Sequence, residues 1–132
     1  MMKKIGILNS EIAAVIAKLG HTDTIVIGDC GLPIPNEVPR IDLALKPGLP
    51  SFIETLEIVL QEMHVEAATL AEEIQAHNPE VEEQVNVMLS DTVVSYVSHE
   101  EFKQLTGRAK VVIRTGEATP YANIILTSGV IF

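Results

Sequence analysis

Segments of helical periodicity alternate along this chain with short β-branched runs, and that alternation confines it to a layered α/β fold with a largely parallel sheet. Ile12, Val15, Ile16 and Leu19 recur at helical spacing behind Asn9 and Ser10, either of which can cap a helix by accepting a free backbone N–H. Gly20 is placed to end that helix in a left-handed turn. Residues 24–27 then read as a short buried strand running into the Gly/Pro-marked loop Asp29-Cys30-Gly31-Leu32-Pro33. Residues 41–45 read as a second strand. Residues 50–63 read as a helix with Phe52, Leu56, Val59, Leu60 and Met63 on one face and Pro50 in its first turn. A third strand is expected over 65–70 and an acidic amphipathic helix over 79–89, with Val81, Val85, Met88 and Leu89 inward. Residues 93–97 form a fourth strand candidate, and Ser98 can cap a short helix carrying Glu100, Glu101, Phe102 and Leu105. Strands over 110–114, 123–126 and 130–132 complete the pattern, the last two joined by so short a link that the parallel arrangement is expected to break there. With no repeat, low-complexity segment or linker, residues 1–132 are expected to form one domain.

Charge narrows the partners. The formal net charge is -9, which argues against nucleic acid and against anionic membranes, both of which need a basic surface. A neutral ligand, such as a sugar without a phosphate, is the simple expectation. Asn9, Ser10, Glu11 and Lys18 interrupt the apolar opening, so it reads as neither a signal sequence nor a membrane span. The one cysteine, Cys30, permits no internal disulfide and suits a reducing, cytoplasmic setting.

The chain has no phosphate-cradling or dinucleotide-binding glycine motif, no H-E-x-x-H, no paired cysteines and no G-x-S-x-G elbow. The sequence therefore points away from nucleotide chemistry and away from a metal site. What remains is a set of polar residues at element ends: His21 after the first helix, Asp29 at the end of the first strand, His99 after the fourth, Arg114 to Glu117 after the fifth, and Tyr121 and Asn123 near the C-terminus. In open α/β sheets ligands bind beyond the carboxyl ends of strands, which is where Asp29, His99 and Glu117 fall. Each also has a structural explanation. His21 could be a cation at a helix C-terminus, Asp29 could make an Asx-turn, His99 could be a surface residue, and Tyr121 and Asn123 could serve turn and core. Cys30 reads as a small packing residue, the acidic stretch 80–83 as a solvated face, and His64 and His77 as ordinary boundary residues.

In their local strings these residues resemble the ribose pyranase/fucose mutarotase family. Gly6-Ile7-Leu8-Asn9-Ser10 with Leu19-Gly20-His21-Thr22-Asp23 looks like its N-terminal signature. Asp29-Cys30-Gly31-Leu32-Pro33-Ile34-Pro35 resembles its proline-rich loop, with Cys30 where alanine is usual. Ser98-His99-Glu100-Glu101-Phe102-Lys103, Ile113-Arg114-Thr115-Gly116-Glu117 and Thr119-Pro120-Tyr121-Ala122-Asn123-Ile124 resemble its later motifs. The resemblance spans essentially the whole chain and is nearer the ribose branch than the fucose branch. It implies a three-layer α/β/α Rossmann-like fold, no cofactor, and rings of subunits (pentamers or decamers) with the sugar near subunit contacts. It also implies interconversion of the β-pyranose and β-furanose forms of D-ribose, with His21 as proton donor and Asp29, His99, Tyr121, Ala122 and Asn123 holding the sugar. Fucose-type anomer exchange and non-catalytic sugar binding are the competing expectations.

The residue types suit that reaction. Opening a pyranose needs a proton at the ring oxygen and one taken from the anomeric hydroxyl, and histidine ordinarily titrates near neutrality. His21 would donate, His99 would accept or orient the anomeric proton, and Asp29 would anchor a hydroxyl or hold His21 in its useful tautomer.

Overall fold

A computed structural model describes residues 2–132. Helix α1 (Ser10–Lys18) starts where the Asn9 side chain accepts the Ile12 N–H at 3.0 Å, which satisfies one of the donors a helix start leaves free. It closes on Leu19 in extended conformation, so Gly20 does not make the expected left-handed turn. The left-handed residue is Thr22, with φ 72°. This turn is held from outside: the Gly20 N–H donates to Asp23 Oδ2 at 2.8 Å and the Thr22 N–H to the Ser128 carbonyl at 2.9 Å. Tertiary anchors rather than a glycine set its shape.

Strand β1 (Thr24–Gly28) follows, then β2 (Arg40–Asp42), which stops short of residue 45 because Asp42 turns the chain by accepting the Ala44 N–H. Pro50 lies outside the next helix, α2 (Phe52–Glu62), rather than in its first turn. Ser51 caps it instead. Ser51 Oγ accepts the Glu54 N–H and Glu54 Oε1 accepts the Ser51 N–H, both at 3.1 Å. Those bonds hold the Glu54 carboxyl below its ordinary value. Then come β3 (Val65–Ala71), a single-turn α3 (Ile74–His77) that periodicity did not mark, α4 (Pro79–Met88), β4 (Val93–Val97), α5 (His99–Leu105), β5 (Val112–Arg114) and β6 (Ile124–Ser128).

The six strands form one sheet in the order β2-β5-β1-β6-β3-β4. Strand β6 runs antiparallel to β1 and β3, while the other pairings are parallel. The closing strand thus breaks the parallel pattern from the middle of the sheet. Residues 130–132 do not add a further strand. Strand β6 already has a neighbour on each side, and past Ser128 the chain leaves the sheet, with the Gly129 N–H bonded to the His64 carbonyl.

Period-two alternation makes two cores. Ile25, Ile27, Ile113, Ile124 and Leu126 face α1 to α4, meeting Ile12, Phe52, Leu56, Val59, Ile74 and Val85. Val26, Val112 and Ile125 face the other way, onto Phe102 of α5 and the loop residues Leu32 and Val38. The result is the expected three-layer α/β/α arrangement, with the heavier helical layer on one side. Each fully buried side chain of this size contributes about 1.5–3 kcal/mol.

Candidate functional site

The middle position of β6 decides what meets at the carboxyl end of β1. Because β6 is antiparallel, its first residues lie beside the last residues of β1, with Ile124 paired to Ile27. Asn123 and Asp29 are thereby brought together, and the Asp29 N–H donates to Asn123 Oδ1 at 2.8 Å. Gly28 permits this approach, since a Cβ there would lie 2.8 Å from Leu32 Cδ2 and 3.1 Å from Asn123 Oδ1. Asp29 does make the Asx-turn, accepting the Gly31 N–H at 2.9 Å. Its carboxyl also faces the cleft. Burial pushes it above its ordinary value, against the Gly31 N–H, the neighbouring Asn123 amide, the Leu32 N–H and the charge His99 can carry.

The loop is clamped from beneath. Arg114 Nε donates to the Cys30 carbonyl at 3.1 Å, and its Nη1 reaches both oxygens of Asp42, at 3.0 and 3.1 Å. Thr115 Oγ1 donates to the Gly28 carbonyl at 2.8 Å. Glu117, a candidate by position, instead braces the fold: Oε1 accepts the Phe52 N–H at 2.9 Å and Oε2 accepts from Thr119 Oγ1 at 2.7 Å.

His99 opens α5 behind its cap Ser98. Its backbone N–H donates to both oxygens of Glu73, at 2.9 and 3.1 Å. Its ring meets that of Tyr121 edge-on at 5.1 Å, and Tyr121 also lies 5.5 Å from His77. Tyr121 is held left-handed, at φ 58°, a conformation costly for a bulky residue. Buried Asn78 imposes it by donating from Nδ2 to Thr119 Oγ1 and the Pro120 carbonyl, each at 2.9 Å. Sequence reasoning missed Asn78 and Glu73, which are ordinary polar residues far along the chain from what they hold. Ala122, between Tyr121 and Asn123, is fully buried with its side chain in the core, so the structure does not bring it to the cleft beside them.

Asp29, His99, Tyr121 and Asn123 thus line one cleft of about 290 Å³, together with Gly31 to Pro33 and Pro120. That is near the lower limit for small-molecule sites, roughly 300 Å³. Among the described residues, His99 Nδ1 and Asn123 Nδ2 are buried without a hydrogen-bond partner. Leaving such atoms unpaired costs about 1–3 kcal/mol each, so the cleft is chemically prepared for a ligand rich in hydroxyls. No group of three or more His, Cys, Asp or Glu among the described residues is arranged to hold a metal ion.

His21 is elsewhere. It precedes β1, whereas Asp29 follows it. Strand β1 alone spans roughly 16 Å, so within one protomer Asp29 cannot hold the His21 tautomer as the sequence suggested. The partner of His21 is Glu66 at the start of β3, with Nε2 and Oε1 2.7 Å apart.

The model of the RbsD / FucU transport protein family matches residues 2–131. The chain belongs to this family. Among RbsD / FucU members, a D-ribose pyranase of Laribacter hongkongensis is 63% identical over 131 residues, covering 99% of this chain and 100% of that protein. A D-ribose pyranase of Bacillus cereus is 60% identical with the same coverage. The structure of Bacillus subtilis RbsD complexed with D-ribose superposes with a TM-score of 0.97 at 56% identity, covering 99% of this chain and all of that one. The fucose mutarotase of Streptococcus pneumoniae in complex with L-fucose shares the fold, with a TM-score of 0.80 at 22% identity and 95% coverage of each chain.

Proposed function

We propose that this chain is a D-ribose pyranase, an isomerase that interconverts the β-pyranose and β-furanose forms of D-ribose. The observation that carries this reading is the 60–63% full-length identity to proteins bearing that name, against 22% to a fucose mutarotase. The cleft supports it. Asp29 accepts from sugar hydroxyls, His99 Nδ1 and Asn123 Nδ2 gain the partners they lack, and the Tyr121 ring completes the wall.

In the proposed reaction His21 gives a proton to the ring oxygen while the anomeric hydroxyl loses its proton toward His99. The C1–O5 bond breaks, leaving the open-chain aldehyde. A different hydroxyl then attacks C1, and the protons return as the furanose closes. Such acid–base groups contribute typically about 10²–10⁴-fold. Bonds break and form in matched pairs with no change of oxidation state, so the chemistry calls for no redox cofactor.

A pentose cannot bridge the length of β1, so the His21 that serves a cleft comes from a second copy. The exposed His21 corner and the Asp29 cleft are then opposite halves of a head-to-tail contact, the kind that closes into rings. Pentameric or decameric assembly meets this need, each chain acting as one unit over 1–132. The lone Cys30 suits work in the cytoplasm, where the enzyme supplies furanose to ribose catabolism. No helix among the described residues is long and apolar enough to cross a membrane.

NMR exchange spectroscopy on D-ribose tests the proposal. The protein is expected to speed pyranose–furanose exchange while leaving L-fucose anomers near their spontaneous rate. Saturable ribose binding without faster exchange would instead favour a sugar-binding accessory, a reading that fits the family's description as transport proteins.

A further inference from the structure

Strand β3 is irregular at one point. Val65 pairs with Ser128 and Ala67 with Thr127, so two steps along β3 answer one step along β6, and Glu66 is the extra residue. A bulge of this kind re-aims a side chain that a regular strand would commit to one face. Here it is the Glu66 carboxylate that meets His21 Nε2, at 2.7 Å.

The other half of the pair is held against the same point of β6. Thr22, next to His21, is left-handed, and its N–H is bonded to the carbonyl of Ser128, the residue facing the bulge. A positive φ is a true outlier for a β-branched residue. Gly129 lets the chain pass, because a Cβ there would lie 2.6 Å from His64 Cδ2 and 3.1 Å from Glu66 Cβ. A bulge, a strained turn and a forced glycine all serve one contact between two side chains that are about half exposed. Exposed ion pairs add little to stability, so the stability of the pair does not account for these three features.

We infer that Glu66 is a positioning residue that fixes the imidazole of His21, the β3 bulge being the device that aims it. The inference rests on the reading of His21 as the proton donor. Glu66 holds the proton on Nε2, so the proton exchanged with the sugar is carried by Nδ1. In its imidazolium form His21 gives the Nδ1 proton to the ring oxygen, which leaves the neutral Nε2–H tautomer, and Nδ1 takes a proton back as the new ring closes, while the Nε2 proton stays hydrogen-bonded to Glu66 throughout.

The test uses the full chain in its native assembly, with Glu66→Gln, Glu66→Asp and His21→Ala compared by NMR exchange on D-ribose and by ¹⁵N spectra of the His21 ring. Glu66→Gln is expected to lower kcat about tenfold with KM within about twofold, and to turn a spectrum dominated by the Nε2–H tautomer into a mixture. Glu66→Asp, which keeps the charge, is expected to recover part of the loss. If Glu66→Gln and Glu66→Asp both keep wild-type kcat and tautomer while His21→Ala is inactive, the positioning role is wrong and the donor assignment stands. If His21→Ala is itself fully active, the donor assignment fails, and the inference with it.

Discussion

Asn123 Oδ1 accepts the backbone N–H of Asp29 at 2.8 Å, joining residues that are far apart in the chain through the antiparallel pairing of β6 with β1. The bond uses the acceptor end of the amide and leaves Nδ2 buried and unpartnered. One side chain thus shapes the Asp29 loop and offers a donor to the cleft. Asn123→Ala is expected to lower kcat/KM about 10- to 100-fold, the equivalent of about 1–3 kcal/mol for the lost bonds. Steady-state exchange kinetics with D-ribose would measure it, and a change below twofold would remove Asn123 from the site.

Asp29 makes stability depend on pH. Its folded-state value is raised, chiefly by burial, so the native state binds this proton more tightly than the unfolded chain. Its contribution is fully present below the ordinary aspartate value, near 3.9, and is lost as pH rises through the raised folded value. Asp29→Asn removes that loss. Urea midpoints should therefore show the variant gaining on wild type as pH rises from 3 to 7, while ribose turnover falls. A gain confined to low pH would contradict the assignment.

Asn78 acts at a distance from the sugar. Its two hydrogen bonds to Thr119 and Pro120 keep Tyr121 left-handed against His99. Asn78→Ala is expected to cost about 1–3 kcal/mol of stability and to raise KM for ribose more than it lowers kcat. Chemical denaturation with matched kinetics checks both. An unchanged KM would show that the loop holds its shape alone.

Phe102 is fully buried on the α5 side of the sheet. Phe102→Ala should destabilise by about 3–5 kcal/mol, seen as a shifted denaturant midpoint, and should loosen the helix that carries His99.

Local chemistry made much of this legible in the sequence. Asn9 and Ser98 cap the helices they precede, and Ile25, Val26 and Ile27 divide between two faces as their spacing requires. Asp29, His99, Tyr121 and Asn123 were singled out at element ends and do share a cleft. What escaped depends on pairings remote in sequence. Nothing local marks β6 as the strand inserted between β1 and β3, and that insertion joins Asn123 to Asp29 and places Ser128 beside Thr22. Glu66 looks like one more exposed acid until the bulge aims it. Glu117 looked functional by position, and its partner proved to be the Phe52 N–H.

The central claim is a ribose isomerase whose cleft, carrying Asp29, takes His21 from another copy. It is tested most directly by measuring pyranose–furanose exchange with His21→Ala and Asp29→Asn, each alone and then coexpressed. Each alone should sit at background. The mixture should recover about a quarter of wild-type activity, because random head-to-tail assembly gives that share of sites one intact half from each variant. A mixture as inactive as its parts, or a single variant that keeps full activity, would contradict the shared site.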